Sequence, residues 1–202
     1  ALCSVGILNA HAENVAIAKS SLVGDGIVEF VPQGFDQTKT PSLILKEEPT
    51  AKGSVPSDWE LYPQFTVVDG KANASLSLTG EISLYGGGEV TGPLLRNGQY
   101  IKLWNTDTGA YGVDGGKRLY QSHPWVLGVR RDGSAFGILF DSSWKSELHT
   151  NSDKIEFNTE GALFRIYIID RESPKDVLKG LAELTGTCLL YTSPSPRDKR
   201  QS

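Results

Sequence analysis

The chain has 202 residues, 39% of them hydrophobic, 9% aromatic and 22% charged, which suffices for one ordinary domain with a sizeable core and excludes long disordered tracts. A net charge of −4 argues against nucleic acid as a partner, because neutralising phosphates takes a Lys and Arg surplus gathered on one face. No apolar run approaches the roughly 20 residues of a membrane-spanning helix, and 22 glycines with 10 prolines favour short strands and tight turns over an all-helical fold.

The sequence contains no methionine, so it reads as a processed chain or, preferably, as one entered inside a longer reading frame. Residues 1–8 are a short apolar run, and Ala10-His11-Ala12 follows with the small-x-small pattern at which signal peptidase cuts. Residues 1–12 are therefore expected to be the remnant of a secretory leader, with a mature start near Glu13 and a secreted or periplasmic location. Cys3 lies in that leader and Cys188 in the tail, which leaves the body of the chain without a disulfide framework or a thiolate metal site.

From Gly26 onward, short apolar or alternating runs recur between turn signals, the pattern of a β-sandwich. Strands are predicted over residues 26–31, 42–46, 64–68, 74–78, 100–104, 125–130, 135–141, 154–157 and 162–170. In Ala74-Ser75-Leu76-Ser77-Leu78 small apolar and hydroxyl residues alternate, as they do when one sheet face is buried and the other wet. Phe136-Gly137-Ile138-Leu139-Phe140 is apolar throughout, so it is expected to be buried on both faces. Asp132-Gly133 before it supplies the left-handed backbone of a hairpin turn.

One helix is predicted. Ser173 can cap it, Pro174 suits its first position, Val177, Leu178, Leu181 and Leu184 are expected on one face, and Gly186 ends it. After Thr187 the composition turns to proline, serine and basic residues without periodicity. Residues 188–202 resemble translated adapter or vector read-through, with a native basic linker as the alternative.

Few motifs carry chemistry. Leu84-Tyr85-Gly86-Gly87-Gly88-Glu89 lacks the last glycine of G-x-G-x-x-G, where Thr91 stands, and no Walker lysine follows. Its glycines are better explained by close backbone approach or an irregular bend. Residues 105–118 hold Asp107, Tyr111, Asp114 and several glycines with almost no aliphatic residue, which predicts a long exposed loop of the kind that is commonly functional. Carboxylates beside aromatic rings suit sugars, because the carboxylate accepts hydroxyl hydrogen bonds while the ring covers the apolar C–H face. On spacing alone, an Asx-turn closing its own loop is the simpler explanation of Asp107. His123 and His149 show no metal spacing. Either could pair with Glu89 or Glu147 for acid–base work, although a structural histidine is the simpler reading.

Four ordered motifs carry a resemblance: Leu84-Tyr85-Gly86-Gly87-Gly88-Glu89, Trp104-Asn105-Thr106-Asp107, Leu119-Tyr120-Gln121-Ser122-His123-Pro124-Trp125, and Ser173-Pro174-Lys175-Asp176 with Glu183-Leu184-Thr185-Gly186. Together they resemble the N-terminal domain of glycoside hydrolase family 31, the α-glucosidase family. The resemblance is specific over residues 84–186 and only topological before them. It implies a galactose-mutarotase-like β-sandwich over residues 13–187, placed before a (β/α)8 barrel of about 250 residues that the 15 residues after Thr187 do not supply. The family's nucleophilic aspartate and acid lie in that barrel and have no counterparts here, so the chain alone is expected to be inactive. The resemblance further implies that the loop at Trp104 to Asp107 reaches over the barrel's active-site mouth and that Asp107 contacts the sugar; it assigns nothing to Tyr111 or Asp114. The parent enzyme would be a retaining α-glucosidase acting on an α-glucoside or oligosaccharide, with no cofactor implied. A free-standing carbohydrate-binding sandwich and an aldose mutarotase using a histidine and a glutamate are the alternatives.

Overall fold

The computed structural model describes residues 12–44, 47–107, 109 and 115–187. The leader expectation over residues 1–12 lies outside the described residues except for Ala12, which is in a strand; the tail expectation over residues 188–202, Tyr111 and Asp114 lie wholly outside them. Among the described residues twelve strands form two antiparallel six-stranded sheets. The first takes the order β1 (Ala12–Val15), β4 (Pro63–Val68), β5 (Lys71–Ser77), β11 (Lys154–Thr159), β10 (Ser146–Thr150) and β7 (Gln99–Leu103). The second takes the order β2 (Ile17–Gly24), β3 (Ile27–Pro32), β12 (Arg165–Arg171), β9 (Ala135–Asp141), β8 (Ser122–Arg130) and β6 (Ile82–Gly88).

The core lies between the sheets. Phe140 stacks on Phe157 with ring centroids 4.4 Å apart, and Phe164 meets Phe157 edge-on at 5.2 Å. β5 alternates as its sequence requires: Ala72, Ala74 and Leu76 are buried, while Asn73 and Ser75 turn outward. Every residue of β9 is buried, because helix α1 (Pro174–Thr185) covers the outer side of the second sheet. A second apolar cluster of Ile27, Leu139, Tyr167, Ile169, Val177 and Leu184 fills that interface.

The helix begins where its cap predicts. The Ser173 hydroxyl accepts the Asp176 N–H at 3.2 Å, and at the other end the Gly186 N–H donates to Ala182 at 2.9 Å. Its buried face is Val177, Gly180 and Leu184, whereas Leu178 is 50% exposed. Leu178 thus departs from the expected apolar face: adjacent residues on a helix point about 100° apart, so Val177 and Leu178 do not share one.

Two predicted strands are corrected. Residues 42–44 are irregular although apolar, because the Asp141 carboxylate takes the backbone that a ladder would have used: Leu43 N–H donates to it at 2.6 Å and Ser42 Oγ at 2.8 Å. Their apolar character reflects packing on the second cluster, and Leu45 and Lys46 lie outside the described residues. Residues 162–164 are also irregular, so β12 starts at Arg165.

Four carboxylates are held below their ordinary values by hydrogen bonds: Asp36 through Thr38, Glu48 through Arg165, Asp132 through Ser134, and Asp176 through Lys179 and then Ser173. A carboxyl whose folded pKa is depressed stabilises the fold above its unfolded value and loses that contribution as pH falls through the folded one. Burial raises Asp141 and gives the opposite sign, but it is one group against four. The urea midpoint is expected to decline as pH falls below the ordinary carboxylate values of 3.8 and 4.5. A midpoint that rises through this window would contradict the assignment.

Candidate functional site

β7 lies at the edge of the first sheet and β8 in the second, so residues 104–121 cross from one sheet to the other. That is the long loop the sequence predicts. Its two limbs are tied together by the Thr106 N–H, which donates to Leu119 at 2.9 Å. The segment after β6 is stapled to the returning limb, with Thr91 N–H donating to Gly116 at 3.0 Å and Thr91 Oγ1 to Gly115 at 2.7 Å.

Asp107 sits exposed on the outgoing limb, and its Oδ1 accepts from the Tyr120 hydroxyl at 3.3 Å, at the long end for such a bond. Tyr120 is itself positioned from β6, since Glu89 Oε2 accepts the Tyr120 N–H at 3.2 Å and Glu89 N–H donates to Gln121 at 2.8 Å. The glycine-rich strand end allows this approach. Gly86 and Gly88 have φ of 121° and 89°, and a side chain on them would come within 2.3 Å of the Trp125 carbonyl oxygen and 2.4 Å of the Gln121 carbonyl oxygen. The three glycines make a bulged strand against β8 and the structural explanation of the motif holds. Glu89, weighed in the sequence only as an acid–base partner of a histidine, and Tyr120, given no role there, therefore brace Asp107. Their signal was their presence in two of the four resemblance motifs.

The histidines are elsewhere. His123 is exposed on β8, and His149 on β10 meets the Tyr100 ring edge-on at 4.6 Å. Burial, and then the neighbouring Glu147 carboxylate, pushes the Tyr100 hydroxyl up to about 12, so it stays protonated at ordinary pH. Among the described residues neither histidine bonds a carboxylate, and no group of His, Cys, Asp and Glu could hold a metal ion. No described helix is long and apolar enough to cross a membrane.

Residues 21–148 match the family model of the glycosyl hydrolase 31 N-terminal galactose mutarotase-like domain. The chain belongs to glycoside hydrolase family 31. It is 34% identical to α-glucosidase 2 of Bacillus thermoamyloliquefaciens over 185 residues, which cover 86% of this chain and 23% of that protein. It is 30% identical to the α-xylosidase XylQ of Lactiplantibacillus pentosus over 149 residues, 70% of this chain and 18% of the relative. The crystal structure of a family 31 α-glucosidase from Bacteroides thetaiotaomicron matches with 69% identity and a TM-score of 0.54, covering 59% of this chain and 20% of that one. A dextranase of Flavobacterium johnsoniae, at 19% identity and a TM-score of 0.66 over 90% of this chain, shares the fold. The family 31 domain described here thus spans about a quarter or less of the length of these relatives. The galactose-mutarotase-like sandwich that the resemblance implied is the fold observed.

Proposed function

We propose that this family 31 domain, residues 13–187, covers and helps to shape the mouth of a retaining α-glucosidase-type active site, with Asp107 accepting hydrogen bonds from sugar hydroxyls. The observation that carries the proposal is an exposed carboxylate on a loop beyond the sandwich edge, braced by Tyr120 and through it by Glu89. A carboxylate held in one orientation accepts two hydroxyl protons without first paying the entropy of ordering. The chemistry itself falls to a pair of carboxylates in a (β/α)8 barrel: one attacks the anomeric carbon, the other protonates the leaving oxygen, and water resolves the glycosyl-enzyme. An α-glucoside or oligosaccharide substrate is supported by the relatives' names. Export to a secreted or periplasmic location is part of the proposal and is supported by the Ala10-His11-Ala12 pattern.

The test is a chimera in which residues 12–187 replace the matching N-terminal region of the Bacillus α-glucosidase. Asp107→Ala in that chimera is expected to lower kcat/KM for maltose about 10-fold to 150-fold, the loss of one charge-assisted hydrogen bond, with the melting temperature unchanged. Unchanged kinetics with a melting temperature several degrees lower would make Asp107 a structural loop residue and remove the site.

A further inference from the structure

The outward face of the first sheet has no element packed on it among the described residues, and it is built differently from the rest of the surface. The strand registers place Asn73 of β5 opposite Asn158 of β11, Asn158 opposite Glu147 of β10, and Glu147 opposite Lys102 of β7. These four side chains form one row across four strands, roughly 14 Å long at the usual strand spacing of about 4.8 Å. They line a groove of about 620 Å³. Trp104, just beyond β7, stands at its end with its side chain half exposed.

The same Trp104 also lines an adjoining hollow with Trp144 and Pro41. Trp144 is fixed, since its Nε1 donates to the Lys39 carbonyl at 3.0 Å and its ring lies where a side chain on Gly161 would stand, 2.1 Å from such a Cβ. It remains 44% exposed. Two half-exposed tryptophans at one end of a row of amides, a carboxylate and an ammonium are a specific combination. A pyranose offers an apolar C–H face to a ring, and hydroxyls that both donate and accept to such a row.

We infer that this face is an accessory binding groove for a neutral oligosaccharide of glucose units, lined by residues other than Asp107, with Trp104 as the ring platform and Asn73, Asn158, Glu147 and Lys102 as hydroxyl partners. The sugar class rests on the family 31 reading above. The length of the row suits a short oligosaccharide and exceeds one sugar. Charge argues for a neutral ligand, because the groove's cations, Lys71, Lys102, Arg118 and Lys145, are interspersed with the carboxylates of Asp69, Glu147 and Glu160, Lys145 and Glu160 being 3.0 Å apart. Such alternation gives no single-signed field to draw an anion. The row has no aliphatic anchor of the kind that centres a protein interface, and the rings beside it, Trp104 and the exposed Tyr100 next to Lys102, suit the C–H face of a sugar.

The experiment titrates the 202-residue chain with maltotetraose and isomaltotetraose, read by tryptophan fluorescence and calorimetry. Saturable binding of at least one tetraose is expected, with glucose bound about tenfold more weakly because it spans a fraction of the row. Trp104→Ala weakens binding roughly tenfold through loss of the platform, Asn158→Ala and Glu147→Gln roughly 2- to 10-fold each through loss of one hydrogen bond, and Arg131→Ala, in the exposed β8–β9 turn of the second sheet, leaves it unchanged. If Trp104→Ala lowers the melting temperature, the two polar variants carry the test. No binding of either tetraose at tens of millimolar overturns the groove, as does binding that Asp107→Ala abolishes and the groove variants retain. Self-association through this face that Trp104→Ala relieves, without sugar binding, makes it a protein interface and also overturns the proposal. Failure here leaves the chimera test of Asp107 untouched, because that test reads turnover at a different residue.

Discussion

Arg165→Met is expected to destabilise the domain by about 3–5 kcal/mol, the cost of leaving buried carboxylates without their cation. The Arg165 side chain is 7% exposed and lies 3.4 Å from Glu29, 2.5 Å from Glu48 and 3.2 Å from Asp141. Glu29 and Asp141 are themselves buried. Methionine keeps most of the volume, so the change isolates the charge rather than a cavity. Tyr167 Oη would still donate to Glu29 at 2.9 Å, and Ser42 and Leu43 to Asp141, which is why the expectation is a weaker fold and not its loss. Because Glu48 comes from the 33–62 connection, the variant should also free that segment from the second sheet, seen as faster hydrogen exchange there. A matched control is Lys154→Met, whose pair with Glu156 is partly exposed and should contribute about 1 kcal/mol. Urea unfolding that gives the two variants equal midpoints would show that the Arg165 cluster is no more than a surface network.

Gly86→Ala is the second large effect, expected at about 3 kcal/mol or more, since it combines a φ that L residues rarely adopt with a clash against backbone. Its new Cβ would lie 2.3 Å from the Trp125 carbonyl oxygen, and a backbone atom inside a β6–β8 ladder has no rotamer to retreat into. Gly133→Ala separates the two causes: its φ is 89°, but nothing lies within 4 Å of the Cβ, so strain alone remains, about 1 kcal/mol. Equal melting temperatures for the two variants would show that the close approach is relieved at no cost. In the family 31 chimera, Gly86→Ala should additionally lower kcat/KM, because the displaced strand end carries Glu89 and thereby Tyr120.

How much of this was legible follows from particular residues. β9 and the helix were readable because apolar residues and caps name them directly, and Asp132-Gly133 names its hairpin. The same dipeptide stands at Asp25-Gly26 and Asp69-Gly70, where φ is positive at Gly26, Asp69 and Gly70, yet β2 went unread because its buried positions are few. β10 escaped for a different reason. Its inward residues are Ser146, Leu148 and Thr150, so two of three are hydroxyls, and Thr150 is buried only because its Oγ1 donates to the Arg96 and Gln99 carbonyls. β6 was masked by glycines, which sequence reasoning assigns to bends. At the proposed site, Asp107 is singled out by resemblance and not by spacing. The Tyr120 and Glu89 contacts that hold it join residues 13 and 31 positions apart, a separation that local pattern cannot bridge.

The strand order has a consequence for how the chain reaches this structure. β3 pairs with β12, so Phe30 waits for Ile166, and β5 pairs with β11, so Asn73 waits for Asn158. During synthesis, residues 27–32 and 71–77 can form hairpins with their sequence neighbours β2 and β4, but each hairpin presents an open edge until the last strands emerge. Both sheets then close within the final thirty or so residues of the domain. Pairings of such long range make for slow folding and a prolonged exposure of unpaired edges. A nascent chain of this kind depends on a late closure: a ribosome stalled before β11 would hold β1–β4–β5, β2–β3 and β6–β8–β9 as separate pieces with neither sheet closed.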